Sequence, residues 1–347
     1  LLKGHLSPRH AGLLVYILLG IAAAMPLFLV SGLRYDVGTD YFYTYRPFFD
    51  WVPQENLGPF NDAAEVGFWF IVKVIQLFGG GPTWMFVISS AVVVGFFFAG
   101  IYGLSEIPWY SVLLFLLTEC YFISMNGVRQ FMGIAILFFG YRFIRKPCFW
   151  KFAICVVAAS LFHTSCLLFL AFYFLAKLPM WPVVGVGVVV LITSLNSWLY
   201  PLAEFLIGLT PYQHYWGSGF HSSTQFYPAH VMVNVLVLAL MLLYYNKWDN
   251  ATNPLFRFLF YGELILLLLL MNQNLMPLAT RICWFFEAGH LLLVPLIAKS
   301  EPRKKLRWFM LAAVAVAWGV VCYQEIFVLG YHEVTPYQSI FSAAAIA

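Results

Sequence analysis

Four short stretches place chemically capable side chains in an otherwise apolar chain of 347 residues. The first is Ser31-Gly-Leu-Arg34-Tyr-Asp-Val-Gly38-Thr39-Asp40-Tyr41. Gly followed by Thr and Asp can cap a short helix, so Asp40 fits either a cap or a carboxylate that activates a hydroxyl. The second is Asn126-Gly-Val-Arg129-Gln130, whose three polar side chains share one helical face. Three strong hydrogen-bonding groups entering an apolar helix together are costly unless they bind something. The third is Leu161-Phe162-His163-Thr164-Ser165, where His163 fits either a packing residue or a base. The fourth is Arg281, which follows Asn272, Gln273 and Asn274. A guanidinium donates in parallel to two oxygens and keeps its charge, which suits phosphate. Arg34, Arg129 and Arg281 together fit a diphosphate cradle, with Arg46 and Lys73 as further cations. Local pairing with Asp36, Asp40, Asp50 or Glu119 is the plainer account of each cation.

Aromatic residues cluster separately at Tyr212, His214, Tyr215, Trp216, Phe220 and Tyr227. Such faces suit sugar rings, and they equally suit the belts found at membrane interfaces. Walker, GxSxG, HExxH and metal-type DxD motifs are absent, so ATP hydrolysis, serine hydrolysis and zincin chemistry have no support. Six cysteines lie mostly in apolar runs without a CxxC pair, which suggests neither a disulfide framework nor a zinc site. No cofactor and no metal is expected.

The elements that must hold these groups are membrane helices. Hydrophobic residues make up 62% of the chain and charged residues 10%, with a mean hydropathy of +0.83. So few charges cannot solvate a globule of this size. Apolar runs near 11–30, 82–104, 108–124, 127–144, 181–198, 229–246, 254–272, 280–298 and 308–327 have the length to cross a bilayer. Residues 64–78 are too short to cross. With Asp62 and Glu65 as a capping box and Phe68, Ile71, Val72, Ile75 and Phe78 on one face, they read as an amphipathic interfacial helix. Residues 150–177 fit one long helix or a hairpin turning near His163. Basic clusters at Arg142, Arg145, Lys146 and Lys151, and at Lys299, Arg303, Lys304, Lys305 and Arg307, mark the cytoplasmic side. The hairpin version brings Lys177 to that side too. The expectation is an all-α polytopic membrane protein of about eleven transmembrane helices. It forms a single integral-membrane domain over 1–347, with extracytoplasmic loops at 31–81 and 199–228. Of the 19 Lys and Arg, the exceptions to the charge pattern are Arg34, Arg46, Lys73, Arg129 and Arg281. They lie at or near the outer surface, where a desolvated cation calls for an anionic partner.

The run SGLRYDVGTDYFYTY (31–45), then NGVRQ (126–130) and ASLFHTS (159–165), resembles the EpsG-type, Wzy-like exopolysaccharide and capsular polysaccharide polymerases. PYQHYW (211–216), ATRICWFF (279–286) and TPYQSIF (335–341) follow in matching order, so the resemblance covers nearly the whole chain. Met125 departs from an aromatic often seen before the NGVRQ motif. The resemblance implies a metal-independent GT-C-like glycosyltransferase of the bacterial cytoplasmic membrane, active on the extracytoplasmic side. It would transfer a growing glycan from undecaprenyl diphosphate onto an incoming lipid-linked repeat unit. Arg34, Arg129 and Arg281 would bind the diphosphate, with Arg46 and Lys73 in secondary roles. His163 and Asp40 are the candidates to activate the acceptor. Asn126, Gln130, Tyr41, Tyr212, His214, Tyr215 and Trp216 would position glycan. Expected partners are the lipid-linked oligosaccharide, membrane lipids, a flippase and a chain-length regulator, with no nucleic acid. A lipid-oligosaccharide flippase or transporter and a glycan acyltransferase are competing readings. The first needs polar groups through the whole membrane depth, and the second needs an acyl-donor site.

Overall fold

The computed structural model describes residues 8–51, 65–209, 213, 216, 228–247, 251–275 and 279–344. Helix α1 (Pro8–Gly32) exposes Val15, Ile17, Leu18, Leu19 and Ile21, an apolar face that lipid, not water, must cover. A π-helical turn (Tyr41–Tyr45) leads into α2 (Arg46–Trp51). The expected interfacial helix is α3 (Val66–Leu77), which buries Phe68, Val72 and Ile75. Its twelve residues fall short of a bilayer crossing.

Next, α4 (Thr83–Leu104) packs against α1 and against α7 (Val128–Gly140), with α5 (Pro108–Leu117) and α6 (Cys120–Ser124) between them in sequence. Met85, Phe86, Ser89, Ser90, Val93, Val94 and Phe97 of α4 are buried at three- and four-residue spacing. The apolar run 108–124 is therefore not one straight span. It breaks at Glu119, which adopts a left-handed backbone at φ 61°. The run 127–144 ends in a single further turn, α8 (Arg142–Arg145).

Residues 149–177 form a hairpin. Its first arm is α9 (Phe149–Ser160), and its return arm runs through Thr164–Leu168, α10 (Phe169–Phe172) and Tyr173–Lys177. The Phe149 and Phe174 ring centroids lie 5.6 Å apart and those of Phe152 and Tyr173 5.3 Å apart, so the arms run back alongside each other. His163 sits at the tip.

The next pair departs from expectation. Helix α11 (Pro182–Ser194) turns through 85° into α12 (Asn196–Gly208), where a loop beginning at 199 was expected. Amide chemistry explains the bend. The Asn196 side chain donates to Asn272 (2.7 Å) and Asn274 (2.9 Å), and Asn272 donates to Thr193 (3.0 Å). These bonds hold the polar elbow and let the apolar chain continue as helix.

The chain closes with α13 (Pro228–Tyr244), α14 (Pro254–Met271), α15 (Ala279–Glu287), α16 (His290–Lys299) and α17 (Lys304–Cys322). Asn253 caps α14 by accepting from the Leu255 and Phe256 amides at 3.0 and 3.4 Å. A π-helical turn (Tyr323–Val328) extends α17, and a short α18 (Ile340–Ala344) follows. Among the described residues there is no strand, and Arg34 and Ser339 form an isolated bridge.

By length and composition, five helices among the described residues can cross a membrane, or six if the bent pair counts as one span. The expected crossings at 108–124, 150–177 and 229–246 fall on shorter apolar helices of 10–17 residues, and that at 127–144 on the 13 residues of α7. The protein is an all-helical polytopic membrane protein.

Its two ends differ in chemistry. At the start of α4, Phe86 stacks on Tyr41 at 4.5 Å. At its far end the Leu104 carbonyl accepts from Arg145 at 3.0 Å, and Glu106 pairs with Arg145 (2.8 Å) and Lys299 (3.0 Å). The 22 residues of α4 extend about 33 Å. The basic clusters and the motif residues thus lie a bilayer apart.

Candidate functional site

Three segments distant in sequence meet at the start of α7. The first is the loop after α1. Its Gly38 amide donates to the Glu333 carbonyl (2.9 Å), the Thr39 amide to the His332 carbonyl (3.1 Å), and the Asp40 amide to Asn126 Oδ1 (2.9 Å). The second is the C-terminal segment. It ties back through Tyr35 N to Gln338 O (3.0 Å) and Ile340 N to Leu33 O (3.0 Å). The third is the Asn126–Gln130 turn itself.

Within this junction Asn126, Arg129 and Gln130 reach different partners. Asn126 Nδ2 bonds His332 Nδ1 at 3.0 Å. Arg129 Nη1 donates to Glu65 Oε2 at 2.5 Å, and the Arg129 amide donates to the Tyr45 hydroxyl at 3.4 Å. Gln130 donates to the Arg281 carbonyl. Asn126 precedes the first helical residue, which frees it to bridge the two loops.

Glu65 joins this junction to the hairpin tip. Its other oxygen lies 3.2 Å from His163 Nδ1, and the His163 ring stacks near Phe285 at 6.1 Å. Burial alone would raise the Glu65 carboxyl. The His163 bond and the Arg129 charge outweigh it and hold the group below its usual value. Gly67 locks the contact, donating its amide to the Leu161 carbonyl at 2.7 Å. A Cβ at Gly67 would meet that oxygen at 2.9 Å. Gly67→Ala should therefore push α3 off the hairpin tip. The expected result is a destabilisation of about 1–3 kcal/mol and a loss of activity approaching 10²-fold. Thermal unfolding in detergent, paired with an activity assay on matched membranes, reads both.

The remaining candidates are placed as follows. Arg34 is 2% exposed, donates to the Ser31 carbonyl and to the Met125 carbonyl (3.1 Å), and lies over the Phe86 ring at 4.5 Å. Burial lowers its pKa to about 10, opposed by the tyrosines around it, so it stays charged at neutral pH. Its charge is enclosed by the fold. Arg46 pairs with Asp50 one turn on at 3.2 Å, the local pairing anticipated for it. The Lys73 ammonium lies 5.6 Å from the Trp69 ring. Asp40 makes no side-chain cap bond and instead accepts from Thr44 at 3.1 Å, so the cap reading does not hold. Tyr41 is buried against Phe86. Trp216 donates to Glu204 at 3.1 Å and packs against Tyr200, outside this junction. Tyr212, His214 and Tyr215 lie outside the described residues. Arg281 is exposed, and its charge reaches His332.

Beneath the junction lies a cavity of about 320 Å³, at the small end of the range for ligand sites. Glu119, His230, Trp284, Glu287, Glu325 and His332 line it. His230 bridges two carboxylates, 3.2 Å to Glu287 and 3.1 Å to Glu325. Desolvation lowers His332 to about 4, with Arg281 adding to the effect and Glu325 opposing it, so the ring is neutral at physiological pH. Sequence reading passed over His230, Glu325 and His332. The available signal was an ionisable residue inside an apolar run, at Glu119, His230 and Glu287.

Fold and site define a polytopic helical membrane protein whose polar groups gather where its helices break and its terminal segments meet. The model of the EpsG family matches residues 17–339, and the chain belongs to the EpsG family. Membership supports a glycosyltransferase-like role in polysaccharide polymerisation. Neither the curated proteins nor the solved structures include a match to this chain.

Proposed function

We propose that this protein polymerises a bacterial polysaccharide at the outer face of the cytoplasmic membrane. It transfers the growing glycan from undecaprenyl diphosphate onto an incoming lipid-linked repeat unit, without a metal, on a GT-C-like scaffold of about eleven crossings. The observation that carries this reading is the junction at the start of α7. There Arg129 and the Arg281 backbone are tied through neighbouring residues to His163, Asn126 and Asp40. As the glycosidic bond breaks, negative charge grows on the departing diphosphate. Fixed guanidinium donors stabilise that charge more in the transition state than in the ground state. In this reading Arg129 and Arg281 bind the diphosphate, with Arg46 and Lys73 contributing to the field around it. Enclosed Arg34 holds the Met125 carbonyl and so the Asn126 turn. His163 and Asp40 orient the acceptor, and Asn126, Gln130, Tyr41 and the 212–216 aromatics position glycan.

The test is Arg129→Ala in cells that depend on this protein, at matched membrane expression. Loss of one such donor should lower polymer formation by about 10²–10³-fold. Single lipid-linked repeat units, identified by mass spectrometry, should accumulate on the outer leaflet. Accumulation on the inner leaflet would replace the polymerase reading with transport.

A further inference from the structure

The carboxylate-lined cavity has no task in the diphosphate chemistry above. Its walls carry Glu119, Glu287 and Glu325, and His230 already lies between two of them. A diphosphate would be repelled there. A neutral polyol would not. A carboxylate accepts hydrogen bonds and a carboxylic acid can also donate one, so either form matches sugar hydroxyls, which do both. The Trp284 ring in the same wall offers a face for the C–H side of a pyranose.

Glu119 is the exceptional member. It is 1% exposed, lines the cavity, and its Oε1 has no hydrogen-bond partner. A buried, unpartnered carboxylate oxygen costs free energy unless something completes it. It sits at the break between α5 and α6 with a left-handed backbone, a conformation that persists where the surroundings impose it. Among the described residues no group of three or more His, Cys, Asp and Glu is placed to hold a metal ion.

We propose that this cavity is the acceptor-sugar subsite and that Glu119 takes the proton of the attacking hydroxyl. The inference rests on the polymerase reading and extends it. The acceptor oxygen forms a bond to the anomeric carbon of the donor glycan, and the bond from that carbon to the diphosphate breaks. The electron pair leaves with the diphosphate, toward Arg129 and Arg281, and the hydroxyl proton passes to Glu119 Oε1. The two halves of the reaction are thus sorted by charge. The cationic junction holds the leaving group, and the anionic cavity holds the nucleophile.

The full-length protein in lipid nanodiscs is given the lipid-linked repeat unit of its own cell, and chain growth is followed by mass spectrometry. If the wild type makes no polymer, the polymerase reading and this inference fall together. If it does, Glu119→Gln should lower kcat by about 10²–10⁴-fold while KM stays within about threefold. A kcat within about threefold of wild type would overturn the role of Glu119 and leave the polymerase reading standing. A second arm uses the repeat-unit oligosaccharide freed of its lipid, with binding read by saturation-transfer NMR. Thr280→Trp, which fills the cavity from its wall, should abolish that binding and leave undecaprenyl diphosphate binding intact. Undiminished oligosaccharide binding would place the acceptor elsewhere.

Discussion

Glu65→Ala should reduce polymer formation more than His163→Ala, although the sequence offers Glu65 only as a helix-capping residue and its side chain makes no cap bond. One carboxylate holds two candidate groups, Arg129 at 2.5 Å and His163 at 3.2 Å. Removing it frees the guanidinium from its anchor, lets the imidazole turn, and detaches the start of α3 from the hairpin tip. The Arg129 and Glu65 side chains are 26% and 16% exposed, so the pair lies between a surface pair and a fully buried one. A stability loss of about 1.5–3 kcal/mol is expected, the scale of a hydrogen bond to a charged group. The activity loss should be larger, about 10²-fold or more, because misplacing a charge-stabilising donor acts on the transition state. Glu65→Gln keeps the hydrogen-bonding shape without the charge and should fall between. The pH dependence has a definite sign. The folded carboxyl titrates below its ordinary value of 4.5, so its stabilisation is present above that value and lost as pH falls through the folded value. The gap in unfolding midpoint between wild type and Glu65→Ala should therefore close on acidification below that range. A gap that persists in acid would show that the ion pair does not anchor α3.

Gly38→Ala should be the most damaging small substitution in the chain. Gly38 has φ +95°, and a Cβ there would lie 2.6 Å from the Met125 carbonyl oxygen. Backbone cannot give way as a side-chain tip can. The left-handed conformation alone costs a non-glycine residue about 1–3 kcal/mol. The clash adds to this by forcing the loop off the Asn126 turn, with loss of the Gly38, Thr39 and Asp40 amide bonds. The expected total is about 3 kcal/mol or more, with polymer formation falling below detection. Gly79→Ala separates the two effects. Gly79 also has a positive φ, of 68°, but open space around its missing Cβ, so it should incur the conformational cost alone. Thermal unfolding of the two variants side by side, with polymer yield from matched membranes, measures the difference. Equal losses would mean that the close approach to Met125 contributes nothing.

The family, the membrane setting and the identity of several junction residues were all legible along the chain. Long apolar runs can be stable only as lipid-covered helices, so hydropathy alone announced α1, α4, α14 and α17. The amphipathic pattern of 64–78 gave α3, because one helical face must find a core whatever that core is. Asn126, Arg129, Gln130 and His163 stood out because polar groups in apolar runs are costly unless bonded.

Tertiary structure decided the rest. The break at Glu119 and the elbow at Asn196 look like continuous span or loop in sequence. A backbone kink inside an apolar run is set by distant hydrogen-bond partners, here Asn272 and Asn274 for the elbow. Arg34 matched a phosphate ligand by type, and its enclosure by the Ser31 and Met125 carbonyls depends on the first loop meeting the Met125–Asn126 turn. Glu65 and His163 are 98 residues apart, and His230 is 57 from Glu287 and 95 from Glu325. Sequence determined which side chains could not rest unpaired in lipid. Which of them meet, and whether they meet as a cationic junction or an anionic cavity, depends on how the broken helices cross, and no local pattern encodes that crossing.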